Sequence, residues 1–515
     1  MPISNTDSLF KLIKSMTKAD KRNFKLYAKR VQGDESLKFI KLFDVLDKME
    51  TLDQSKLLER LDNIKKGQLS NLKRHLYSQI LISLRLISIG RQKAIEIREQ
   101  IDFSQVLYSK GLYLQSLKLL QRAKKIAEKE ELDLLTLEII ELQKVIESRH
   151  ITNSGPLRND ALTHEAQATI KKVDRSIMLS NLRVNLHSYY IRNSHVKNDN
   201  ERISIIKYFN ERLPSVEEVG LGFPEIVYLY QCYVWYHYIL LDFEKCYSFA
   251  EKWISTFEQN PDLKLLDKDL YMRGYHYLLT AAFNMKDLEK LEKHLQELEV
   301  FRKANYAKFN ENSKIFSFLY VHWARYNVHF LKGTYPEALK IIPRSLRRIK
   351  LYRKRIAHHR VMVLYFKIAW AYLGDGQPGK CVTYISKIIN DDIEDFREDI
   401  QSYSRLLYLM AHYDLENLEL MPYLVRTVDS YFKKVKTQNQ LQVSTLKFFK
   451  KIQNATISAR QDLLIDLRVD LLEVYKDPYE LRSFLYLDVL SWVNARIDKL
   501  QKLDGMMYTK VPSLP

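Results

Sequence analysis

The sequence predicts an all-α protein built as a solenoid of antiparallel helix pairs, and three observations support that prediction. Glycine and proline are scarce, at 13 and 12 of 515 residues, which leaves few turn signals and room for long helices. No stretch sustains the alternation of polar and apolar residues that marks a half-buried strand. A helix-turn-helix pattern recurs after 43 residues, a repeat length typical of helical solenoids.

The recurring pattern occurs twice within residues 315–392. Each copy has a glycine, a tyrosine or proline two positions later, a small residue three positions after that, and further small or apolar residues at helical spacing. These positions hold Gly333, Tyr335, Ala338, Ile342 and Ser345 in the first copy, and Gly376, Pro378, Cys381, Ile385 and Ile388 in the second. We expect the small residue to lie where the two helices of a pair meet.

Residues 1–98 are predicted to form a separate basic helical module, since they contain 21 Lys+Arg and 11 Asp+Glu, a local net charge of +10. Thr17 and Asp20 match an acidic variant of the capping box, so a helix should begin after Thr17. Its apolar stripe is Phe24, Tyr27, Ala28 and Val31. A second stripe is a candidate polyanion-binding surface and consists of Lys18, Lys21, Arg22, Lys25 and Lys29.

Residues 54–90 allow two interpretations. A short helix, a turn through Gly67 and a longer helix that carries Lys73 and Arg74 could form a DNA-reading helix-turn-helix. The same pattern arises between ordinary neighbouring helices of an array. The second helix is expected to exceed twenty residues and to bury one edge, which favours the ordinary pair; that edge is Leu69, Leu72, Leu76, Ile80, Leu84 and Ile87.

Helix pairs are expected over residues 99–150 and again over 151–435, with a loop or boundary at 151–160 and a polar insertion at 193–201. The small-residue positions Cys246, Leu291, Ala338 and Cys381 are spaced 45, 47 and 43 residues apart. With Gly111, Tyr113 and Ser116, this pattern resembles the tetratricopeptide repeat, which implies paired helices and a groove for a partner. The spacing is closer to that of HEAT-type units.

Residues 436–503 are predicted to close the solenoid as a helical cap, because an open end would leave apolar surface uncovered. We expect helices at 441–454, 459–475 and 479–500, and a flexible tail at 504–515. The layout also resembles a group of bacterial helical-repeat proteins, a resemblance that implies no particular activity.

No motif predicts catalysis, a cofactor or a metal site. The segment from Gly374 to Cys381 nearly matches a phosphate-binding loop, but Cys381 replaces the required Ser or Thr and a helix is expected before it. We therefore expect a turn there. Cys232, Cys246 and Cys381 have no metal-ligand spacing and are expected in the core. Residues 1–14 show no signal-peptide pattern and no membrane span is evident, so we expect a cytoplasmic protein.

The strongest local signal is a basic run at 343–360 that contains no acidic residue. A solvated face normally mixes both charges, because like charges three and four positions apart repel. The run is therefore a candidate contact surface for a polyanion or an acidic partner, although it could also be a solvated corner. Its cations are Arg344, Arg347, Arg348, Lys350, Arg353, Lys354, Arg355 and Arg360.

The net charge of +19 favours anionic partners. The leading hypothesis is a non-catalytic scaffold that binds a protein or another macromolecule through its groove and basic patches. The alternative is a nucleic-acid-binding protein. It would contact RNA or the ribosome through the arginine run, or DNA through residues 54–90.

Overall fold

The structure is a computed structural model that describes residues 5–31, 36–61, 66–90, 92–149, 156–215, 220–353, 355–390, 398–435, 438–452 and 455–503. These residues form 25 α-helices and no β-strand, so the predicted all-α class is confirmed. The chain divides into two compact units, Met1–Val173 and Asp174–Pro515. The finer boundaries at 98, 150 and 435 stay predictions.

The first unit contains eight helices and the start of a ninth. They are α1 Asn5–Ser15, α2 Lys18–Val31, α3 Ser36–Lys48, α4 Gln54–Glu59, α5 Lys66–Ile89, α6 Lys93–Ser109, α7 Tyr113–Lys129, α8 Asp133–Arg149 and α9 Pro156–Asn193. Phe24, Phe39, Phe43, Leu76 and Ile80 are buried together in the core formed by α1 to α5.

The capping box at the start of α2 is confirmed. The Thr17 hydroxyl accepts a hydrogen bond from the Asp20 N–H at 3.1 Å, and the Asp20 carboxylate accepts one from the Thr17 N–H at 2.9 Å. Two backbone donors of the first turn are thereby satisfied. Phe24 and Ala28 of the predicted apolar stripe are fully buried.

The α6–α7 turn has the predicted repeat geometry. Gly111 has a φ of +78°, which favours glycine, and Ser116 is fully buried. The Ser116 hydroxyl donates to the Ser104 carbonyl oxygen at 2.8 Å, so the small residue lies at the contact between the two helices.

The prediction of a loop or boundary at 151–160 is wrong for residues 156–160, which are helical. Pro156 begins α9, in the first-turn position that proline tolerates. Residues 151–155 lie outside the described residues.

The second unit contains the remainder of α9 and sixteen further helices. They are α10 Asp199–Arg212, α11 Phe223–Ile239, α12 Phe243–Glu258, α13 Pro261–Leu266, α14 Lys268–Asn284, α15 Leu288–Asn305, α16 Glu311–Lys332, α17 Tyr335–Tyr352, α18 His358–Gly374, α19 Pro378–Ile389, α20 Glu398–Asp414, α21 Met421–Val435, α22 Gln440–Ile452, α23 Ile457–Lys476, α24 Leu481–Tyr486 and α25 Val489–Leu503.

Successive helices of this unit pack as pairs, and each pair packs against the next in chain order. The predicted contact positions Cys246, Leu291, Ala338 and Cys381 are all fully buried, which confirms the register of the pairs α11–α12, α14–α15, α16–α17 and α18–α19. The solenoid as an arrangement of the whole chain stays a prediction.

The same turn geometry connects the two helices within each of these pairs, and it recurs between α20 and α21. The central residue of each turn has a left-handed backbone, with φ between +57° and +72°. These central residues are Leu241, Lys286, Gly333, Gly376 and Glu416. Consecutive ones are 45, 47, 43 and 40 positions apart. In each turn the next N–H donates to the carbonyl five residues earlier, for example Asp242 to His237 at 3.0 Å and Gln377 to Tyr372 at 2.8 Å. This hydrogen bond satisfies a carbonyl that the helix end leaves without a partner.

The prediction of one continuous final helix at 479–500 is wrong, because the structure has two helices there, α24 and α25. Leu487 has an extended backbone, with φ −148° and ψ 113°. The Asp488 carboxylate accepts the Ser491 N–H at 3.0 Å and so starts a new helix. The tail at 504–515 lies outside the described residues.

Candidate functional site

The arginine run occupies the second half of α17 and the start of α18, and the structure divides it between different surroundings. Arg344, Arg347, Lys350, Arg353 and Arg355 are exposed, whereas Arg348 and Arg360 are half-buried. Lys354 lies outside the described residues. The run is therefore not one continuous exposed surface.

α17 buries Ile342 and Ser345, as the repeat pattern predicts. Ile342, Ser345 and Ile349 are buried, and the Ser345 hydroxyl lies 2.8 Å from His322 Nδ1 in α16. Arg344 and Arg347 therefore lie on the side of α17 that points away from the core.

Arg302 of α15 adds a cation beside α17. Burial lowers the pKa of Arg302, and the positive charges of Arg344 and Arg348 lower it further. Its Nε has no hydrogen-bond acceptor among the described residues. Arg348 Nη1 donates to the Tyr352 hydroxyl at 3.1 Å, with the Tyr306 hydroxyl at 3.4 Å. We name Arg302, Arg344, Arg347 and Arg348 the arginine face.

Within the described part of the chain, Arg302, Arg344 and Arg347 form no salt bridge. The nearby Arg325 is paired with Glu299 at 2.7 Å. The arginine face therefore keeps like charges close together without internal neutralisation, which is unfavourable unless an external anion is present.

Two other members of the run have partners that the sequence did not indicate. Arg355 forms a salt bridge with Glu311 at the start of α16. Arg360 lies 4.9 Å from the ring centre of Phe316 and faces a cavity inside the second unit. Neither residue belongs to the arginine face.

The cationic stripe of α2 is partly neutralised, contrary to our expectation. Lys21 pairs with Asp47, and Lys25 pairs with Asp44 at 2.6 Å. Both carboxylates are on α3, which packs against α2. The stripe members that remain exposed are Lys18, Arg22 and Lys29.

Of the two basic residues that the DNA-reading hypothesis placed on α5, only one is exposed. Lys73 is only 6% exposed, and burial lowers the pKa of its ammonium group. Arg74 is exposed. Lys73 faces inward because α5 buries Leu69, Leu76 and Ile80 along the same side, in helical register.

The glycine-rich segment at 374–381 is a turn between two helices, as predicted. A Cβ at Gly374 would lie 2.3 Å from the Tyr335 ring, so this position must remain glycine. Gly376 has a φ of +72° and forms the left-handed turn. Lys380 is exposed, with its Nζ 5.3 Å from the ring centre of Tyr372.

Sequence reasoning missed Arg302, because no basic run surrounds it and only the packing of α15 on α16 and α17 reveals its neighbours. Cys232, Cys246 and Cys381 are buried free thiols. Among the described residues, no cluster of His, Cys, Asp and Glu could hold a metal ion, and no helix has the length and apolar character needed to cross a membrane.

Comparisons with known proteins give no relative from which a role could be transferred. No protein-family model, curated protein or solved structure matches the chain.

Proposed function

We propose that the protein is a non-catalytic, cytoplasmic helical-repeat scaffold that binds an acidic macromolecular partner through the arginine face. The observation that supports this is the placement of Arg302 and Arg348 against the same side chain, Tyr306, with Arg344 nearby and with no salt bridge to any of the three among the described residues. Stability alone would favour mixed charges on such a surface.

The chemistry of arginine supports an acidic partner. Guanidinium groups bind carboxylates and phosphates through two parallel hydrogen bonds, and they are less strongly hydrated than an ammonium group. A partner with several negative charges would relieve the repulsion that lowers the pKa of Arg302.

An acidic protein is the leading partner, and a nucleic acid is the alternative. RNA could use the same arginine face, since phosphate contacts are largely independent of sequence. The DNA alternative through residues 54–90 is weaker, because Lys73 is buried.

The test is an affinity capture with the triple variant Arg344→Glu, Arg347→Glu and Arg353→Glu, which changes two members of the arginine face and the exposed Arg353 that follows them in the basic run; we call it the arginine-face variant. Arg348 is left unchanged, because its guanidinium donates to tyrosine hydroxyls and its loss would disturb packing. The matched control changes three other exposed cations by the same total charge: Arg426→Glu, Lys434→Glu and Lys451→Glu.

We expect the arginine-face variant to lose its partner while the control variant retains it. Nuclease treatment that leaves capture intact identifies a protein partner, whereas loss of capture identifies a nucleic acid. Equal capture by wild type and both variants would show that the arginine face is only a solvated surface.

A further inference from the structure

The second unit contains a partly open cavity of about 410 Å³ that the sequence analysis did not predict. The first helices of successive pairs form its walls, namely α9, α11, α14, α16 and α18, and α24 closes one side. Tyr486 of α24 stacks on Tyr403 at 4.9 Å, and its hydroxyl lies 3.2 Å from the Ser194 hydroxyl. The volume falls within the range typical of small-ligand sites, about 300–1,000 Å³.

The charge of the cavity wall has a single sign. Arg183, Arg273, Arg360 and Lys367 line it, and none of the described lining residues is aspartate or glutamate. Within the described part of the chain these four cations form no salt bridge. Four neighbouring cations without a salt-bridged carboxylate among the described residues repel one another more strongly beside the protein than they would in bulk water.

The four cations converge on shared neighbours. Burial lowers the pKa of His276 to about 3, and the charges of Arg360, Arg273 and Lys367 contribute to that shift. Burial also lowers the pKa of His187, and the positive charges of Arg183, Arg273 and Arg360 lower it further. Arg273 and Arg360 therefore act on both histidines, while the other two cations each act on one of them, although the four come from α9, α14 and α18.

Some side chains that line the cavity carry hydrogen-bond donors without acceptors among the described residues. Among the described residues, Arg183 Nε and Trp323 Nε1 are buried without an acceptor. Lys367 Nζ donates to Asn327 Oδ1 at 2.6 Å and lies 5.6 Å from the ring centres of Phe283 and Phe330. A ligand that fits this wall must bring acceptor oxygens.

Aromatic side chains form the rest of the wall. Trp235, Tyr277, Tyr320 and Trp323 line the cavity, and His276 stacks on Tyr320 with ring centres 4.5 Å apart and planes 6° apart. Such surfaces favour a flat conjugated ring beside the charged part of a ligand.

We infer that this cavity binds a nucleoside diphosphate or triphosphate. The phosphate chain supplies several negative charges and many acceptor oxygens, which match the four cations and the donors without acceptors. A single carboxylate would leave most of the positive charge uncompensated. The base supplies the flat ring that the aromatic wall favours.

This inference does not depend on the proposed function, since the cavity and the arginine face share no residue. It is also distinct from the glycine-rich turn at 374–381, because Gly376 and Lys380 do not line the cavity.

The experiment measures binding of ATP, ADP, adenosine, inorganic tripolyphosphate and citrate to the full chain by isothermal titration calorimetry in EDTA buffer. Quenching of tryptophan fluorescence is the second readout, because Trp235 and Trp323 line the cavity. We expect ATP and ADP to bind more tightly than adenosine, tripolyphosphate or citrate. Equal binding of citrate and ATP, or no nucleotide binding, would overturn the inference.

Variants locate the site. Arg360→Gln and Lys367→Met should each weaken ATP binding by about tenfold or more, since each removes a cation that faces the phosphates. Because Lys367→Met removes a desolvated charge, we expect this variant to stay folded. A loss of ATP affinity in this variant would therefore reflect the lost cation. Lys380→Ala and the arginine-face variant should leave ATP affinity within about twofold. ATP binding that is lost in Lys380→Ala but kept in Lys367→Met would refute the assignment to this cavity.

Discussion

Replacing Lys367 with methionine should stabilise the second unit at neutral pH. Burial lowers the pKa of Lys367 to about 8, from an ordinary value of 10.5. Each unit of pKa shift corresponds to about 1.4 kcal/mol, so holding the charged ammonium in the fold at pH 7 costs about 3 kcal/mol. Methionine removes this cost but leaves Asn327 Oδ1 without its donor, a loss of about 1–2 kcal/mol. We expect a net gain of about 1–2 kcal/mol.

The pH dependence of this gain is the sharper part of the prediction. Between pH 8 and 10.5 the unfolded wild-type chain keeps the lysine proton that the folded chain has released. The stability of the wild type therefore rises with pH in that window. The variant lacks this group, so its advantage should fall by about 3 kcal/mol and should reverse before pH 10.5. The charged groups around Lys367, namely Arg273, Lys286, Arg360 and Asp488, and the neutral His276 are present in both proteins.

The assay is urea unfolding followed by tryptophan fluorescence. All five tryptophans lie within residues 174–515, so the signal reports on the second unit. Lys380→Met, at an exposed position on α19, is the matched control and should show no pH-dependent difference from the wild type. A variant that is less stable than the wild type at pH 7, or a difference that does not change with pH, would refute the reasoning.

Three further substitutions test the helix register, the turns and the carboxyl-terminal helices. Ala338→Trp should destabilise the α16–α17 contact by about 1–3 kcal/mol or more, and an unchanged melting temperature would contradict the register. Lys286→Gly should raise the melting temperature slightly, because Lys286 has a φ of +57°, which costs a non-glycine residue about 1–2 kcal/mol; a lower value would contradict the turn assignment. Asp414→Ala removes the acceptor of Trp492 Nε1 (3.2 Å) and Arg496 Nε (2.7 Å) and should cost about 2–4 kcal/mol. Unchanged urea unfolding of that variant would argue against the contact.

The fold class and the register of the helix pairs could be predicted because each depends on local sequence. A buried small residue must recur at the same place in every pair, and the sequence shows Ala338 and Cys381 at that place. The capping box at Thr17 and Asp20 was predictable for the same reason, since both partners lie within one turn of helix.

The turns were harder to recognise, because of the five inter-helix turns described above for the second unit only those at Gly333 and Gly376 use glycine in the left-handed position. Leu241, Lys286 and Glu416 adopt the same conformation without that sequence signal. Helix pairing determines the turn at these positions and overrides the local preference of the residue.

The charged sites could be predicted only in part, because salt bridges join distant segments. Nothing near Lys21 or Lys25 in the sequence indicates Asp47 and Asp44 as partners. The burial of Lys73 likewise depends on the direction in which α5 faces its neighbours. A run of basic residues shows how much charge a segment carries but not how much of it stays unpaired.

The cavity was missed because its cations are far apart in the sequence. Arg183, Arg273 and Arg360 are separated by 90 and 87 residues, about twice the repeat length, and belong to first helices of different pairs. Aligning the first helices by the repeat would have placed these arginines on a common face. That periodic signal is available from the sequence, but a search for continuous runs does not detect it.

The most direct test of the proposed function is the salt dependence of binding to a defined polyanion. Fluorescence anisotropy would follow labelled oligoglutamate and a labelled single-stranded RNA with the wild type and with the neutral variant Arg344→Gln, Arg347→Gln and Arg353→Gln. We predict that the wild type binds a polyanion with an affinity that falls steeply as salt rises. We also predict that each lost arginine contact to phosphate flattens the slope for RNA by about one counterion. Equal affinity and equal salt dependence for both proteins would contradict the claim that the arginine face binds the partner.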